Sequence, residues 1–153
     1  MIIVECYSDM VLLKELGFSN IKHGRGKGNI CNILKKRQNC IGVIDEDPDS
    51  PQPRYIQTLK QHAQNLQQHD IIFIHDSARN NCLIIICPRL EDWILKTARL
   101  AGIDVRNYNL PNNPNQLGEI ISQKDPPEGF RKLVRALLNT SRLQALKSLI
   151  QQC

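Results

Sequence analysis

The chain has 153 residues, 41% hydrophobic and 23% charged, with no apolar run near the roughly 18 residues a membrane span needs. That length holds about one domain with a sizeable core and excludes a disordered or membrane-spanning chain. The net charge of +5 is uneven: residues 1–76 carry nine Lys/Arg and nine Asp/Glu, and residues 77–153 carry eleven and six. A basic second half suits contact with a polyanion, and equally a solvated helix face.

In chain order, MIIVEC reads as a short buried strand, β-branched and apolar. It lacks the basic leader and small-residue cleavage site of a signal peptide, so a cytoplasmic protein is expected. Ser8 is placed to cap a helix with Asp9 in its first turn and Leu12, Leu13 and Leu16 as its apolar stripe; Gly17 ends it. SNIKHGRGKGN is a basic glycine-rich loop with room for a short strand. Ile30, Ile33 and Leu34 then predict a helix over 29–38.

CIGVID is the next strand, followed by EDPDSPQP, a turn that three prolines keep out of a helix. Ile56, Leu59, Ala63 and Leu66 at helical spacing predict a helix over 54–67. DIIFIH and CLIIIC read as two strands joined through DSARNN in a hairpin. A helix over 90–101 follows, with Trp93 in the core. NQLGEIIS, EGFRKLVRALLN and SRLQALKSLIQQ give a helical C-terminus. The expected fold is α/β: one domain with a largely parallel central sheet flanked by helices, a core over 1–105, and a helical extension over 106–153 packed on it. The apolar C-terminal helices leave room for a homo-oligomer.

Six cysteines raise the question of disulfides or zinc. Cys6, Cys40, Cys82 and Cys87 lie in or beside apolar runs, where reduced cysteine behaves as a small hydrophobe. There is no C-x-x-C pair, and Cys82 and Cys87 fall on opposite faces of one strand. Free thiols and no zinc site are expected.

The acids carry the chemistry. Ligands of a parallel sheet gather beyond the carboxyl ends of its strands, and Glu5 and Asp45 both stand at such ends. Asp47, two residues on, points the same way if extended geometry persists. Clustered carboxylates repel one another unless a cation neutralises them, and hard oxygen donors suit Mg²⁺ or Mn²⁺. Asp9 is either a first-turn residue or a further ligand. Asp49 reads as a turn former. Arg25 and Lys27, in the glycine-rich loop, can hold a phosphate, a structural turn being the alternative. The helix-opening acids Glu91 and Asp92 are favoured by the dipole in any case.

These strings resemble a known family. VECYSD is similar to the Toprim motif, a hydrophobic strand ending in Glu with an Asp four residues on. IGVIDED resembles its strand ending in Asp-x-Asp. HGRGKGN resembles its glycine-bearing turn, and IICPRLEDWIL a segment of small stand-alone Toprim-like proteins. The likeness covers about residues 1–100, with Cys6 where the family usually has glycine. It implies Mg²⁺- or Mn²⁺-dependent chemistry on phosphodiesters: Glu5 as general acid/base, Asp45 and Asp47 as metal ligands, and Asp9 and Glu91 as further ligands. A small nuclease acting on DNA or RNA is the first expectation. A non-catalytic module that binds nucleic acid or protein is the second. A haloacid-dehalogenase-type phosphatase, from VIDED, is the third.

Overall fold

Six short β-rich segments align into one sheet in the computed structural model, which describes residues 1–153. They are β1 (Ile2–Val4), β2 (Ile21–His23), β3 (Ile41–Asp45), β4 (Ala63–Leu66), β5 (Ile71–Asp76) and β6 (Asn81–Ile86), in the spatial order β2-β1-β3-β6-β5-β4. β2, β1, β3 and β6 run parallel, while β5 and β4 are antiparallel additions. Val4 pairs with His23 on one side and with Val43 on the other. The chain thus steps from β1 to one side, then returns across it, so strand order reverses between β1 and β3.

The two crossovers pack on opposite faces. Helix α1 (Tyr7–Glu15) and the residue after it bury Val11, Leu12, Leu13 and Leu16 in a 28-residue core that also holds Val4 and Val43. Helix α2 (Lys27–Lys36) buries Ile30 and Leu34 in a separate 11-residue core with Ile3 and Ile44. Neighbouring residues of β1 and β3 go to different cores, as the strand period of two requires. Helix α4 (Leu90–Leu100) follows β6, then α5 (Pro114–Ile121), α6 (Glu128–Leu137) and α7 (Ser141–Gln151), and all four join the larger core. The C-terminal helices therefore share the core of the sheet. Phe130, Leu133, Val134, Leu137, Leu143 and Leu146 are wholly buried, each stabilising by roughly 1.5–3 kcal/mol. Their apolar faces are covered within the chain, and Leu100 and Ile120 are the large apolar side chains left exposed.

Arg142 of α7 is buried. Its guanidinium donates to Thr97 Oγ1 at 2.8 Å and to Asp70 Oδ2 at 2.7 Å, and lies 4.9 Å from the Trp93 ring centre. A buried Arg so paired ties α7 to α4 and to the start of β5.

Four expectations need correction. The helix expected over 54–67 is only α3 (Arg54–Leu59); after a 3₁₀ turn the chain becomes β4. Leu66 and Ala63 there pair with Ile71 and Ile74 of β5, so edge pairing overrides the helical spacing. Helix α2 begins at Lys27, two residues earlier than expected, where Gly26 (φ +103°) turns the chain into it. The cap of α1 is Cys6, not Ser8, for a reason given below. Lastly, not every thiol is free: Cys82 and Cys153 form a disulfide across 71 residues, because the end of α7 lies over β6. Cys6, Cys31, Cys40 and Cys87 are free. No helix is long and apolar enough to cross a membrane.

Candidate functional site

The strand reversal leaves a crevice beyond the carboxyl ends of β1 and β3, the position where open α/β sheets take ligands. Glu5, one residue past β1, accepts the Asp45 N–H through Oε1 at 3.0 Å. The Glu5 carboxylate thus meets the backbone of Asp45, bringing the two strand ends together. Asp45 Oδ1 in turn accepts the Leu90 N–H at 3.0 Å, which fixes the start of α4 over the end of β3. Its other oxygen takes no hydrogen bond.

Asp9 sits at the third position of α1. Its Oδ2 reaches back to accept the Cys6 N–H at 2.9 Å, making a capping box with Cys6 as the cap residue. The turn out of β1 is tight enough that Ser8 is already inside the helix and buried. Asp9 is only 3% exposed, so its carboxylate lies on the inner wall of the crevice. Glu91, at the second position of α4, completes this wall against α5. A Cβ placed on Gly118 would stand 2.9 Å from Glu91 Oε1, so glycine here lets the Glu91 carboxylate lie against α5 without being pushed aside.

Electrostatics register the crowding. Burial, followed by the charges of Asp9, Glu5 and Glu91, pushes Asp45 up to about 9. Burial, then Glu5 and Glu91, pushes Asp9 up to about 7, against the lowering effect of its Cys6 bond. Glu5 and Glu91 are also raised, chiefly by burial. Cys6, beside these acids, is pushed to about 12 by burial and then by Asp9. It is no nucleophile at neutral pH.

Asp47 departs from expectation. The chain leaves β3 at Asp45, and Asp47 has φ +42°, so extended geometry does not persist. Its N–H bonds Pro88 O at 2.8 Å, and it lines the α2 side of the crevice with Glu5, whereas Asp9, Asp45 and Glu91 line the α5 side. Glu5 stands between the two. Asp49 is exposed in the proline turn, and Glu91 and Asp92 open α4 as expected.

Of the two cations from the glycine-rich segment, Arg25 is exposed with φ +59° and bonds nothing. Lys27 is different: it is 9% exposed, and its ammonium donates to Glu46 O at 2.7 Å, with Ser50 Oγ and Gln52 Oε1 at 3.4 Å. It braces the loop after β3 instead of projecting from a turn. Tyr7, which opens α1, and His23, at the end of β2, stack with ring centres 4.3 Å apart. Nothing in local spacing announced that pair, nor the contribution of Gly118, which depends on how α5 docks.

The donor set is all carboxylate oxygen, with Asp45 Oδ2 and Glu5 Oε2 free of protein bonds, a chemistry that fits a hard divalent cation. No three Asp, Glu, His or Cys side chains are gathered closely enough to enclose one as they stand. No family model matches the chain, and no curated protein or solved structure matches it.

Proposed function

We propose that the chain is a Mg²⁺- or Mn²⁺-dependent phosphodiester-cleaving protein, a small nuclease of DNA or RNA resembling the Toprim nucleases. The observation that carries this reading is the meeting of Glu5 and Asp45 at the strand reversal, with Asp9 and Glu91 crowding Asp45. So many buried acids oppose folding unless protons or a cation neutralise them. Asp45 is the central ligand, supported by Asp9 and Glu91 on one side and Asp47 on the other. When bound, the cation supplies charge stabilisation at the phosphate oxygens and lowers the pKa of a water.

Glu5 is the group that moves the proton. Its Oε1 is held by the Asp45 N–H, which aims the carboxylate, and burial raises its pKa above the ordinary carboxylate value, towards that of a working acid/base. The Leu90 N–H holds Asp45 in place in the same way. A cytoplasmic setting belongs to this reading. A binding module without hydrolysis is the second reading, favoured by one detail: Asp9 is already engaged as the capping partner of Cys6.

Labelled single- and double-stranded DNA and RNA, incubated with Mg²⁺ or Mn²⁺, test it. Cleavage should occur and vanish in Glu5→Gln and Asp45→Asn. Cleavage that persists in both variants removes the proposed site.

A further inference from the structure

Beside the carboxylates, a cavity of about 530 Å³ opens between the outer face of α2 and the proline turn that follows β3. Glu5 and Asp47 form its inner end. Lys35, Arg54 and Asn32 line it further out, and all three are exposed side chains without an ion pair or hydrogen bond in the protein. On α2, Lys27 and Lys35 are eight residues apart, about 12 Å along the axis. Acid therefore lies at one end and unpaired base at the other, in one continuous cleft.

We infer that this cleft is the track for one strand of nucleic acid, with Lys35 and Arg54 holding backbone phosphates beyond the one placed at Glu5. The inference rests on the phosphodiester reading above and adds the substrate class, a single strand or frayed end. The volume of about 530 Å³ is that of a small-molecule pocket, the size for a nucleotide or so of one strand at a time. Both cations are free to turn to a phosphate, because neither gives up a carboxylate partner to do so. Lys27 contributes indirectly, by holding the turn that forms the opposite wall.

The test is equilibrium binding of a fluorescein-labelled oligothymidylate, measured by anisotropy in EDTA over a range of salt. Lys35→Ala/Arg54→Ala should bind at least tenfold more weakly. The slope of log K against log salt should fall by about 1.4, at roughly 0.7 per lost single-strand phosphate contact. Lys124→Ala/Lys132→Ala, an equal charge change on α6 and the bend before it, should stay within about twofold of the unaltered protein. Affinity and slope unchanged in the first variant, or lowered equally in the second, overturn the track. A blunt duplex bound as tightly as the single strand, and weakened as much by the first variant, overturns the substrate class. Hydrolysis of bis(p-nitrophenyl) phosphate by the unaltered protein reads the carboxylate site separately. Its failure alone would strike the nuclease reading and leave the track standing.

Discussion

Replacing Asp45 by Asn should stabilise the metal-free protein, and the gain should grow with pH. Asp45 is pushed up to about 9 from an ordinary 3.8. At neutral pH the unfolded chain carries it ionised, and folding must bring in a proton. About three units separate 3.8 from pH 7, and at 1.36 kcal/mol each they cost the fold about 4 kcal/mol. Because the folded-state value is raised, the stability tied to this group is fully present below pH 3.8 and is lost as pH rises towards 9. Asn needs no proton, and its amide oxygen still accepts the Leu90 N–H. Allowing half the cost to be relieved by water at this half-buried group, Asp45→Asn gains about 2 kcal/mol at pH 7. For a chain of this size that raises Tm by about 4–8 °C. Melts from pH 4 to 9 in EDTA should show the two proteins converging in acid and separating above it. A variant less stable throughout, or a Tm difference flat with pH, would refute the reasoning.

Other consequences follow from the same geometry. Glu5→Gln should keep the bond from the Asp45 N–H, and so its stability, while phosphodiester cleavage falls by roughly 10²–10⁴, the usual worth of a general acid/base; unchanged turnover would discount the proton role. Gly118→Ala puts a methyl group 2.9 Å from Glu91 Oε1; because a carboxylate can swing aside, stability should drop by less than about 1 kcal/mol while Mn²⁺ affinity weakens several-fold, readable by titration. Arg142→Ala strips Asp70 of one of its two cations and leaves the Thr97 hydroxyl oxygen without its donor, while the Trp93 carbonyl keeps the bond from that hydroxyl. It should cost about 3 kcal/mol, or 6–12 °C in Tm, and a melt within 2 °C of the parent would show that α7 is held by packing alone.

Much of this was legible residue by residue. The apolar strands ending in Glu5 and Asp45 could be read because a parallel sheet brings such ends to one edge, whatever the intervening sequence. The hairpin at DSARNN and the buried Trp93 came from equally local signals. Segment 54–67 failed for the opposite reason. Its apolar spacing fits a helix, and only the open edge of β5, remote in sequence, makes residues 63–66 a strand. The direction of Asp47 hung on whether extended geometry runs past β3, which local sequence left open. The Glu46 and Asp47 N–H groups instead bond Ile86 and Pro88 O, and the chain bends. Pairing of Cys82 with the last residue depended on where α7 ends, a tertiary fact. The unpaired Lys35 and Arg54 gained meaning only once α2 and the proline turn faced each other.

Calorimetric titration of Mn²⁺ into the metal-free protein near pH 7, in buffers of differing ionisation enthalpy, probes the carboxylate crevice most directly. Binding accompanied by proton release, with both lost in Asp45→Asn, is the expected result, since the cation displaces protons that Asp45 and Asp9 hold. Absence of binding, or binding of equal strength in the variant without proton release in either protein, would contradict a cation site built on Asp45.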